Sequence, residues 1–250
     1  MFNEFHYQVR GRGHEAEGTL GQDRTHYAKK HGVHVLCLAD GAGSASHSAY
    51  GAQAVTHAGC ALLADRFHDF ATGEDAVQAR EDIVGTLHAR LAKTAARLEC
   101  EVTDLASTFL AVALFEDRFV AAHIGDGVIG YVKDGELKVA STPDNAEFAN
   151  QTTFVTSGNA AASLRLYRGS LQGIAGFILM SDGTSASLFD QRTKSLAPAC
   201  AKLISIVGEA PMKQTKNPAH KKSLRRVIDT QLRGATKDDC SVGILGRRAI

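Results

Sequence analysis

Acidic residues stand where apolar runs meet polar loops at several points along the chain. They are Asp23, Asp40, Asp126, Asp182 and the pair Asp238 and Asp239. An aspartate followed by glycine after an apolar strand is on its own a common turn, so the recurrence is what points to chemistry. Carboxylates at the ends of several core strands, if those ends converge, form a negative cluster that hard divalent cations neutralise. Ligation by oxygen alone favours Mg²⁺ or Mn²⁺ over zinc.

The sequence lacks the motifs that usually accompany other catalytic chemistries. No pair of the 11 histidines has the i, i+4 spacing beside a carboxylate that a catalytic zinc site on a helix uses. There is neither a G-x-S-x-G nucleophile elbow nor a Walker-type phosphate loop. The five cysteines are widely spaced without a C-x-x-C pair, which argues against a disulfide framework and a zinc site. We interpret them as reduced, mostly buried thiols.

The composition is that of an ordinary globular protein. Of 250 residues, 44% are hydrophobic and 22% charged, which excludes disorder, collagen and coiled coil. The net charge of +1 gives no general attraction to nucleic acid or an anionic membrane. The longest apolar runs, such as Phe109 to Phe115, are too short to cross a bilayer, and residues 1–12 lack a signal-peptide pattern. We therefore expect a cytoplasmic protein with neither a nucleic-acid nor a membrane partner.

The spacing of apolar residues predicts the helices and strands that position these carboxylates. The run Val33 to Ala39 predicts a strand buried on both faces. Ser48 to Phe70 predicts a helix, and Thr72-x-x-Asp75 predicts a capping box at the start of a second one. Further helices are predicted within Ser185 to Val207, with a break near Pro198, and over Pro218 to Arg233. A cationic cluster (Lys213, Lys216, Lys221, Lys222, Arg225 and Arg226) is interpreted as a solvated helix face.

The middle and end of the chain favour strands. Predicted strands are Phe109 to Phe115, Arg118 to Ile124, Val128 to Val132, Glu136 to Ala140, Ile174 to Met180 and Val242 to Leu245. The first four are too close for crossover helices, so we expect an antiparallel meander. Ser141 to Ser170 is expected to be irregular surface. The predicted strands and helices occur in separate blocks along the sequence and do not alternate, which favours an α+β fold with helices on antiparallel sheet. We expect a single domain over residues 1–250.

Six motifs occur in an order that resembles metal-dependent protein phosphatases of the phosphatase 2C type, in a bacterial branch. They are Gln22-Asp23, Leu38 to Gly43, Ser107 to Phe109, His123 to Asp126, Met180 to Gly183, and Asp238 to Val242. The resemblance covers nearly the whole chain. It implies a four-layer fold, a β-sandwich of two antiparallel sheets flanked by helix pairs. It also implies a centre of two Mg²⁺ or Mn²⁺ ions, which would lower the pKa of a water that attacks the phosphate.

The resemblance also implies a role for each acidic motif. Asp40 would bridge the two metals and the Gly41 carbonyl would bind one of them. Asp182 and Asp238 would hold the metal nearer the core. Asp23 would lie on the second metal, and Asp126 matches the position that helps to bind a third ion.

The chain departs from the family pattern at three positions. The arginine that grips the substrate phosphate is missing from Glu15 to Gln22, so His14 is the nearest candidate. Ala42 stands where some relatives have a histidine, and His47 either replaces it or is a surface residue at a helix start. Asp239 stands where asparagine is usual, so either member of the Asp238-Asp239 pair could be the ligand, with Asp238 preferred.

The expected function is hydrolysis of phosphoserine or phosphothreonine on proteins, opposing a partner kinase. One alternative is a catalytically weak binding or regulatory module with the same fold. Another is a phosphomonoesterase that acts on a small molecule. The retained carboxylates favour an enzyme over the binding module, because such a cluster is costly to assemble without cations.

Overall fold

The chain divides into two units, each formed by segments that are separate in the sequence. The computed structural model describes residues 1–144, 152–210 and 218–248. The first unit comprises Met1–Gly21, Val128–Thr142 and Gln172–Ile250, and the second comprises Gln22–Gly127 and Pro143–Leu171. Each unit contains an antiparallel five-stranded sheet with helices. The α+β class predicted from the sequence is therefore confirmed.

The elements follow one another in this chain order. The strands are β1 (Phe2–Val9), β2 (Arg24–Lys30), β3 (Val33–Ala39), β4 (Phe109–Phe115), β5 (Arg118–Ile124), β6 (Val128–Lys133), β7 (Glu136–Ser141), β8 (Arg165–Ser170), β9 (Ile174–Met180), β10 (Phe189–Asp190), β11 (Ser195–Leu196) and β12 (Cys240–Arg247). The α-helices are α1 (Arg12–Ala16), α2 (Ser48–Asp65), α3 (Phe67–Thr72), α4 (Ala76–Leu98), α5 (Ala160–Ser163), α6 (Asp182–Leu188), α7 (Pro198–Glu209) and α8 (Pro218–Val227). Short 3-10 helices cover Val102–Leu105 and Arg233–Ala235, and a π-helical turn covers Ile228–Leu232.

The sheet of the second unit has the order β2-β3-β4-β5-β8. One face of β3 carries Val35 and Cys37, which belong to an apolar core that also contains Val55 of α2 and Leu87 of α4. The opposite face carries Leu36, which is also fully buried. The strand is therefore buried on both faces, as its nearly unbroken apolar sequence predicted.

The sheet of the first unit has the order β1-β12-β9-β6-β7. Helix α7 packs on β12 and β9, where Ile204 and Val207 share an apolar core with Ile178 and Ile244. The backbones approach closely at Gly246, where an added Cβ would lie 2.4 Å from a backbone nitrogen of α7. Glycine at this position lets the helix lie directly against β12.

The predicted meander is wrong. Strand β5 pairs with β4 and β8, whereas β6 pairs with β9 and β7, so β5 and β6 belong to different sheets. The link between them begins at Gly125, which has a φ of +110°, a backbone conformation that glycine adopts far more readily than other residues. A short link limits how far the chain travels but does not require the two strands to pair.

Two details of the predicted first helices are corrected. The helix expected over Ser48 to Phe70 divides at Arg66, where φ is −117° and ψ is 26°. The expected Thr72-Asp75 capping box is absent, because Asp75 is itself the N-cap. Its carboxylate accepts hydrogen bonds of 2.9 Å from the backbone N–H groups of Val77 and Gln78.

The segment expected to be irregular contains regular structure. Helix α5 and strand β8 lie within Ser141 to Ser170, of which residues 145–151 fall outside the described part. The hairpin of β10 and β11 interrupts the helix expected over Ser185 to Val207, and Pro198 begins α7. Strands β1 and β2 were not predicted. Helical backbone does cover the expected Pro218 to Arg233, as α8 to Val227 and then as the π- and 3-10-helical turns. Across the described residues, no helix combines the length and apolarity needed to span a membrane.

Candidate metal centre

The acidic residues of the second unit lie at one edge of its sheet. Arg24 pairs with Ala39, so the register continued by one residue sets Asp23 opposite Asp40. Thr108, just before β4, lies on the other side of Asp40. Its N–H donates to the Asp40 carbonyl at 2.8 Å, and its hydroxyl oxygen accepts from the Asp40 N–H at 2.8 Å. The hairpin and the start of β4 therefore hold the two aspartates side by side.

The loop after Asp40 is fixed on both sides. Gly41 forms an isolated antiparallel bridge with Ser107, and the N–H of Ala42 donates to the Ala106 carbonyl at 3.0 Å. A Cβ at Gly41 would lie 2.9 Å from atoms of Ser48, the first residue of α2. Glycine is therefore needed for the loop to pass between β4 and α2, and the Gly41 carbonyl has a fixed position.

Asp126 lies at the same edge, after β5. Its Oδ2 accepts a hydrogen bond of 2.6 Å from the Thr152 hydroxyl, a contact that the sequence did not indicate. The preceding carbonyl of Gly125 accepts from Arg165 Nη2 at 3.0 Å. Nearby His123 is fully buried, and burial together with the charge of Arg165 holds its pKa well below the usual value. His123 is thus a neutral core residue.

The donor chemistry of this edge fits hard divalent cations. Asp23 is only 2% exposed, and burial of a carboxylate is unfavourable unless an opposite charge or hydrogen bonds offset it. Like charges directly opposite each other on neighbouring strands are also unfavourable. The donors are carboxylate and carbonyl oxygens, which Mg²⁺ and Mn²⁺ prefer.

The acidic residues of the first unit also lie at an edge of their sheet. Strand β9 continues its pairing with β12 through Ser181, whose N–H donates to the Ser241 carbonyl at 3.2 Å. Asp182 follows directly. A Cβ at Gly183 would lie 2.1 Å from the Asp239 carbonyl oxygen, so the start of α6 lies directly against the Asp238-Asp239 pair.

The two adjacent aspartates have different environments. Asp239 is 2% exposed, and its Oδ1 accepts a 2.6 Å hydrogen bond from the N–H of Gly11. The same oxygen lies 2.8 Å from His14 Nδ1. The Asp238 side chain is exposed, and its Oδ1 accepts from the Asp239 N–H at 2.8 Å. Asp239 is thus held by internal contacts, whereas Asp238 faces solvent.

His14 lies on α1, which is attached to the segment before β12. The N–H of Gly13 donates to the Lys237 carbonyl at 2.7 Å. Partial burial lowers the pKa of His14, but the hydrogen bond and charge of Asp239, with further charge from Asp238 and Glu17, raise it more. The net pKa lies above the usual value, so His14 is more cationic near neutral pH than an exposed histidine.

The structure thus gathers the predicted residues in two groups. Asp23, Asp40, Gly41 and Asp126 share an edge of the second unit, and His14, Asp182, Asp238 and Asp239 share an edge of the first. His47 occupies the N-cap position of α2, as one of its two interpretations expected.

The described part of the cationic cluster is mostly exposed, as expected, at Lys222, Arg225 and Arg226. Lys221 forms a 2.9 Å ion pair with Glu4 of β1. The guanidinium of Arg225 lies 5.2 Å from the ring centroid of Tyr7. Part of this helix face therefore packs on β1, while Lys213 and Lys216 fall outside the described residues.

Comparison with known proteins defines the family. The model of the family described as Protein phosphatase 2C matches residues 10–227, so the chain belongs to the protein phosphatase 2C family. Serine/threonine-protein phosphatase 3 of Escherichia coli strain K12 is 32% identical over 130 residues, which are 52% of this chain and 51% of that protein. The chain thus spans about half the length of this curated relative. The family predicted from the order of the motifs is confirmed.

Solved structures of bacterial phosphatases share the fold. Serine/threonine phosphatase Stp1 from Staphylococcus aureus has a TM-score of 0.65 at 16% identity, covering 100% of this chain and 96% of that one. The catalytic domain of PstP, solved in complex with two manganese ions, has a TM-score of 0.60 at 21% identity and covers 99% of each chain. At these identities the likeness concerns the fold, and it agrees with the phosphatase 2C architecture expected from the sequence.

Proposed function

We propose that this protein is a metal-dependent protein serine/threonine phosphatase. The observation that carries the proposal is the gathering of family-matched carboxylates at strand ends within each unit. In the second unit, register and hydrogen bonds bring Asp23, Asp40 and Asp126 to one edge. In the first unit, Asp182 and the Asp238-Asp239 pair lie beside each other. We further propose that the two units act as one phosphatase domain, since the chain passes repeatedly between them.

The carboxylates would serve as ligands of Mn²⁺ or Mg²⁺. Asp23, Asp40 and the Gly41 carbonyl are the proposed ligands in the second unit, with Asp126 available to a third, weaker ion. Asp182 and Asp238 are the proposed ligands in the first unit. Bound ions would supply charge neutralisation of the phosphate and an activated water for in-line attack. The PstP catalytic domain was solved with two manganese ions, which supports the choice of ion.

His14 is the proposed ligand of the substrate phosphate, and Asp239 the residue that positions it. The 2.8 Å contact fixes the ring through Nδ1, which leaves Nε2 as the donor to a phosphate oxygen. Asp239 also accepts the Gly11 N–H, so the same carboxylate fixes the backbone that leads into α1. On this account Asp239 is not a metal ligand, and Asp238 is.

The proposed substrate class is phosphorylated protein. The name of the Escherichia coli relative supports action on phosphoserine or phosphothreonine. A solved neighbour from Pseudomonas aeruginosa is described as a key regulatory component of T6SS, which supports a regulatory role. A partner kinase is part of the proposal. Hydrolysis of a small phosphorylated molecule remains the alternative, and the cytoplasmic location stays a prediction.

The test is hydrolysis of a phosphothreonine peptide by metal-free protein with and without added Mn²⁺. We expect turnover only with Mn²⁺, reduced at least about 100-fold in Asp40→Asn and in Asp182→Asn. Each substitution keeps the size of the side chain and removes the charge. One residue comes from each unit, so the two variants test the proposed ligands of each unit separately.

Asp117→Asn is the matched control. Asp117 is an exposed aspartate in the turn between β4 and β5, at the end of those strands remote from Asp126. The activity of the Asp117→Asn variant should equal that of the unmodified protein. Turnover that persists without metal, or that survives either site substitution, would contradict the proposal. Activity on a small phosphate ester but on no phosphopeptide would favour the small-molecule alternative.

A further inference from the structure

A second cluster of metal-ligating side chains lies in the second unit. One ligand atom each of His47, Cys100 and Asp104 lies within 4.8 Å of the other two, and all three residues are half-buried. They come from the start of α2, the residues after α4 and the 3-10 helix Val102–Leu105. The three donors are a ring nitrogen, a sulfur and a carboxylate oxygen, a combination different from the oxygen donors proposed for catalysis.

Backbone hydrogen bonds hold the three residues in place without any ion. The N–H of His47 donates to the Asp104 carbonyl at 2.9 Å. The N–H of Cys100 donates to the Ala95 carbonyl at 3.1 Å, which ties the cysteine to the end of α4. Asp104 Oδ2 accepts from the Glu101 N–H at 3.1 Å. The cluster is therefore organised before an ion arrives, which reduces the ordering that binding would require.

One further contact and the partial burial of the cluster favour ion binding. The Ser46 hydroxyl lies 2.9 Å from His47 Nδ1, a contact of the kind that orients a ligating histidine. Half-burial gives an ion access from solvent while excluding part of the water that would compete for the ligands. Ser46 is the residue directly before His47, so this contact lies at the start of α2 and needs no distant part of the chain.

We propose that His47, Cys100 and Asp104 bind a zinc-class divalent ion. Mixed nitrogen, sulfur and oxygen donors suit Zn²⁺ and Co²⁺, whereas Mg²⁺ prefers oxygen alone. Three protein ligands leave a fourth tetrahedral position for water or another small ligand. On binding, the Cys100 thiol loses its proton to solvent, so thiolate and carboxylate together balance the two positive charges of the ion.

The site is connected to the loop that carries Asp40. The segment from Asp104 to Thr108 bonds to residues 40–47 through His47 N–H, Ala42 N–H and the Asp40 carbonyl. An ion that joins His47 to Asp104 would therefore tighten the attachment of this loop. We expect zinc-class ions to raise the unfolding temperature through this site, apart from any effect of Mn²⁺ on the carboxylates.

Co²⁺ titration tests the proposal through its absorption spectrum. The reduced, metal-free protein is first given excess Mg²⁺, which occupies oxygen sites, and Co²⁺ is then added. We expect a sulfur-to-cobalt charge-transfer band, since only a thiolate can produce it. The band should vanish in Cys100→Ser and weaken strongly in His47→Gln. Zn²⁺ should displace Co²⁺ and abolish the band.

Glu99→Gln is the matched control, because it removes a neighbouring negative charge without touching the cluster. It should leave the band unchanged. Absence of the band in the unmodified protein, or its persistence in Cys100→Ser, would overturn the proposal. Circular dichroism of each variant shows whether a lost band reflects a lost ligand or a lost fold. Phosphatase activity does not enter the readout, so this test and the test of the proposed function can fail independently.

Discussion

At the scale of single residues, Asp239 and His14 form a pair whose members depend on each other. Asp239 is nearly fully buried and contacts both the Gly11 N–H and the His14 ring. A buried carboxylate gains most from partners that are fixed in place. The pair joins α1 to the segment before β12, and it orients the one side chain that we propose for binding the substrate phosphate.

We predict that His14→Ala raises KM for a phosphothreonine peptide by about tenfold with a smaller change in kcat, because it removes a charged hydrogen bond to the phosphate. Asp239→Asn keeps an oxygen for the Gly11 N–H but removes the charge that orients the ring. It should raise KM by a smaller factor. Steady-state kinetics of both single variants and the double variant measure the effects.

The double variant distinguishes positioning from independent roles. If Asp239 acts through His14, Asp239→Asn should have almost no further effect once His14 is alanine. Additive effects of the two substitutions would contradict the pairing. Loss of Mn²⁺ binding in Asp239→Asn would show instead that Asp239 is a metal ligand.

At the scale of elements, close packing of α2 on the 3-10 helix sets the geometry near Asp40. A Cβ at Gly51 would lie 1.9 Å from the Leu105 carbonyl oxygen, so these backbones touch. We predict that Gly51→Ala lowers the free energy of unfolding by about 1–3 kcal/mol through this overlap. Denaturant unfolding monitored by circular dichroism measures the change.

Gly85→Ala provides the comparison for Gly51→Ala. Gly85 is exposed within α4, and an added Cβ there meets no atom within 4 Å. Alanine should therefore stabilise the protein by about 0.5–1 kcal/mol through helix propensity. Equal effects of the two substitutions would show that contact with Leu105 does not determine the packing.

Buried strands could be predicted from the sequence, whereas most edge strands could not. Strands β3, β4 and β5 were predicted with their observed bounds, because strands buried on both faces have nearly continuous apolar sequences. The edge strands β1, β2 and β8 were missed. Their polar residues alternate with few apolar ones, and their pairing depends on neighbours distant in sequence.

The residues of the candidate site also differ in how far the sequence reveals them. Asp40, Asp126 and Asp182 could be found because each follows an apolar strand. The contact of Thr152 with Asp126 could not be found, because the two residues are 26 positions apart in sequence and no local pattern connects them. The spacing of the cysteines argued against a zinc site, whereas the fold brings Cys100 close to His47 and Asp104. Contacts between separate segments have no pattern in a single sequence.

At the scale of the whole molecule, half-buried histidines make stability depend on pH. Burial, with the charge of Lys29, lowers the pKa of His34 to about 4. Burial, with the charges of Lys221 and Arg225, lowers the pKa of His6 to about 4 as well. Between the unfolded value of about 6.5 and 4, the unfolded chain binds protons that the folded protein does not. Stability from these groups is present above pH 6.5 and is lost as the pH falls.

We predict that the free energy of unfolding falls between pH 7 and pH 5, by about 1 kcal/mol for each of these histidines. His34→Gln should flatten the decrease, since glutamine does not titrate and can still bond to Tyr27, whose hydroxyl lies 2.8 Å from His34 Nδ1. His68→Gln, at an exposed histidine, should leave the slope unchanged. A slope unaffected by His34→Gln would contradict this account. Denaturant unfolding at several pH values measures the change in the free energy of unfolding with pH.

The central claim for the whole molecule is that carboxylates at the sheet edges bind the ions needed for phosphatase chemistry. The most direct measurement is a Mn²⁺ titration of metal-free protein, with free Mn²⁺ followed by electron paramagnetic resonance, for the unmodified chain and Asp40→Asn. We predict saturable binding in the unmodified protein that weakens at least about tenfold in Asp40→Asn while circular dichroism stays unchanged. Equal Mn²⁺ affinity in the two proteins would contradict the claim, because Asp40 would then contribute nothing to the site.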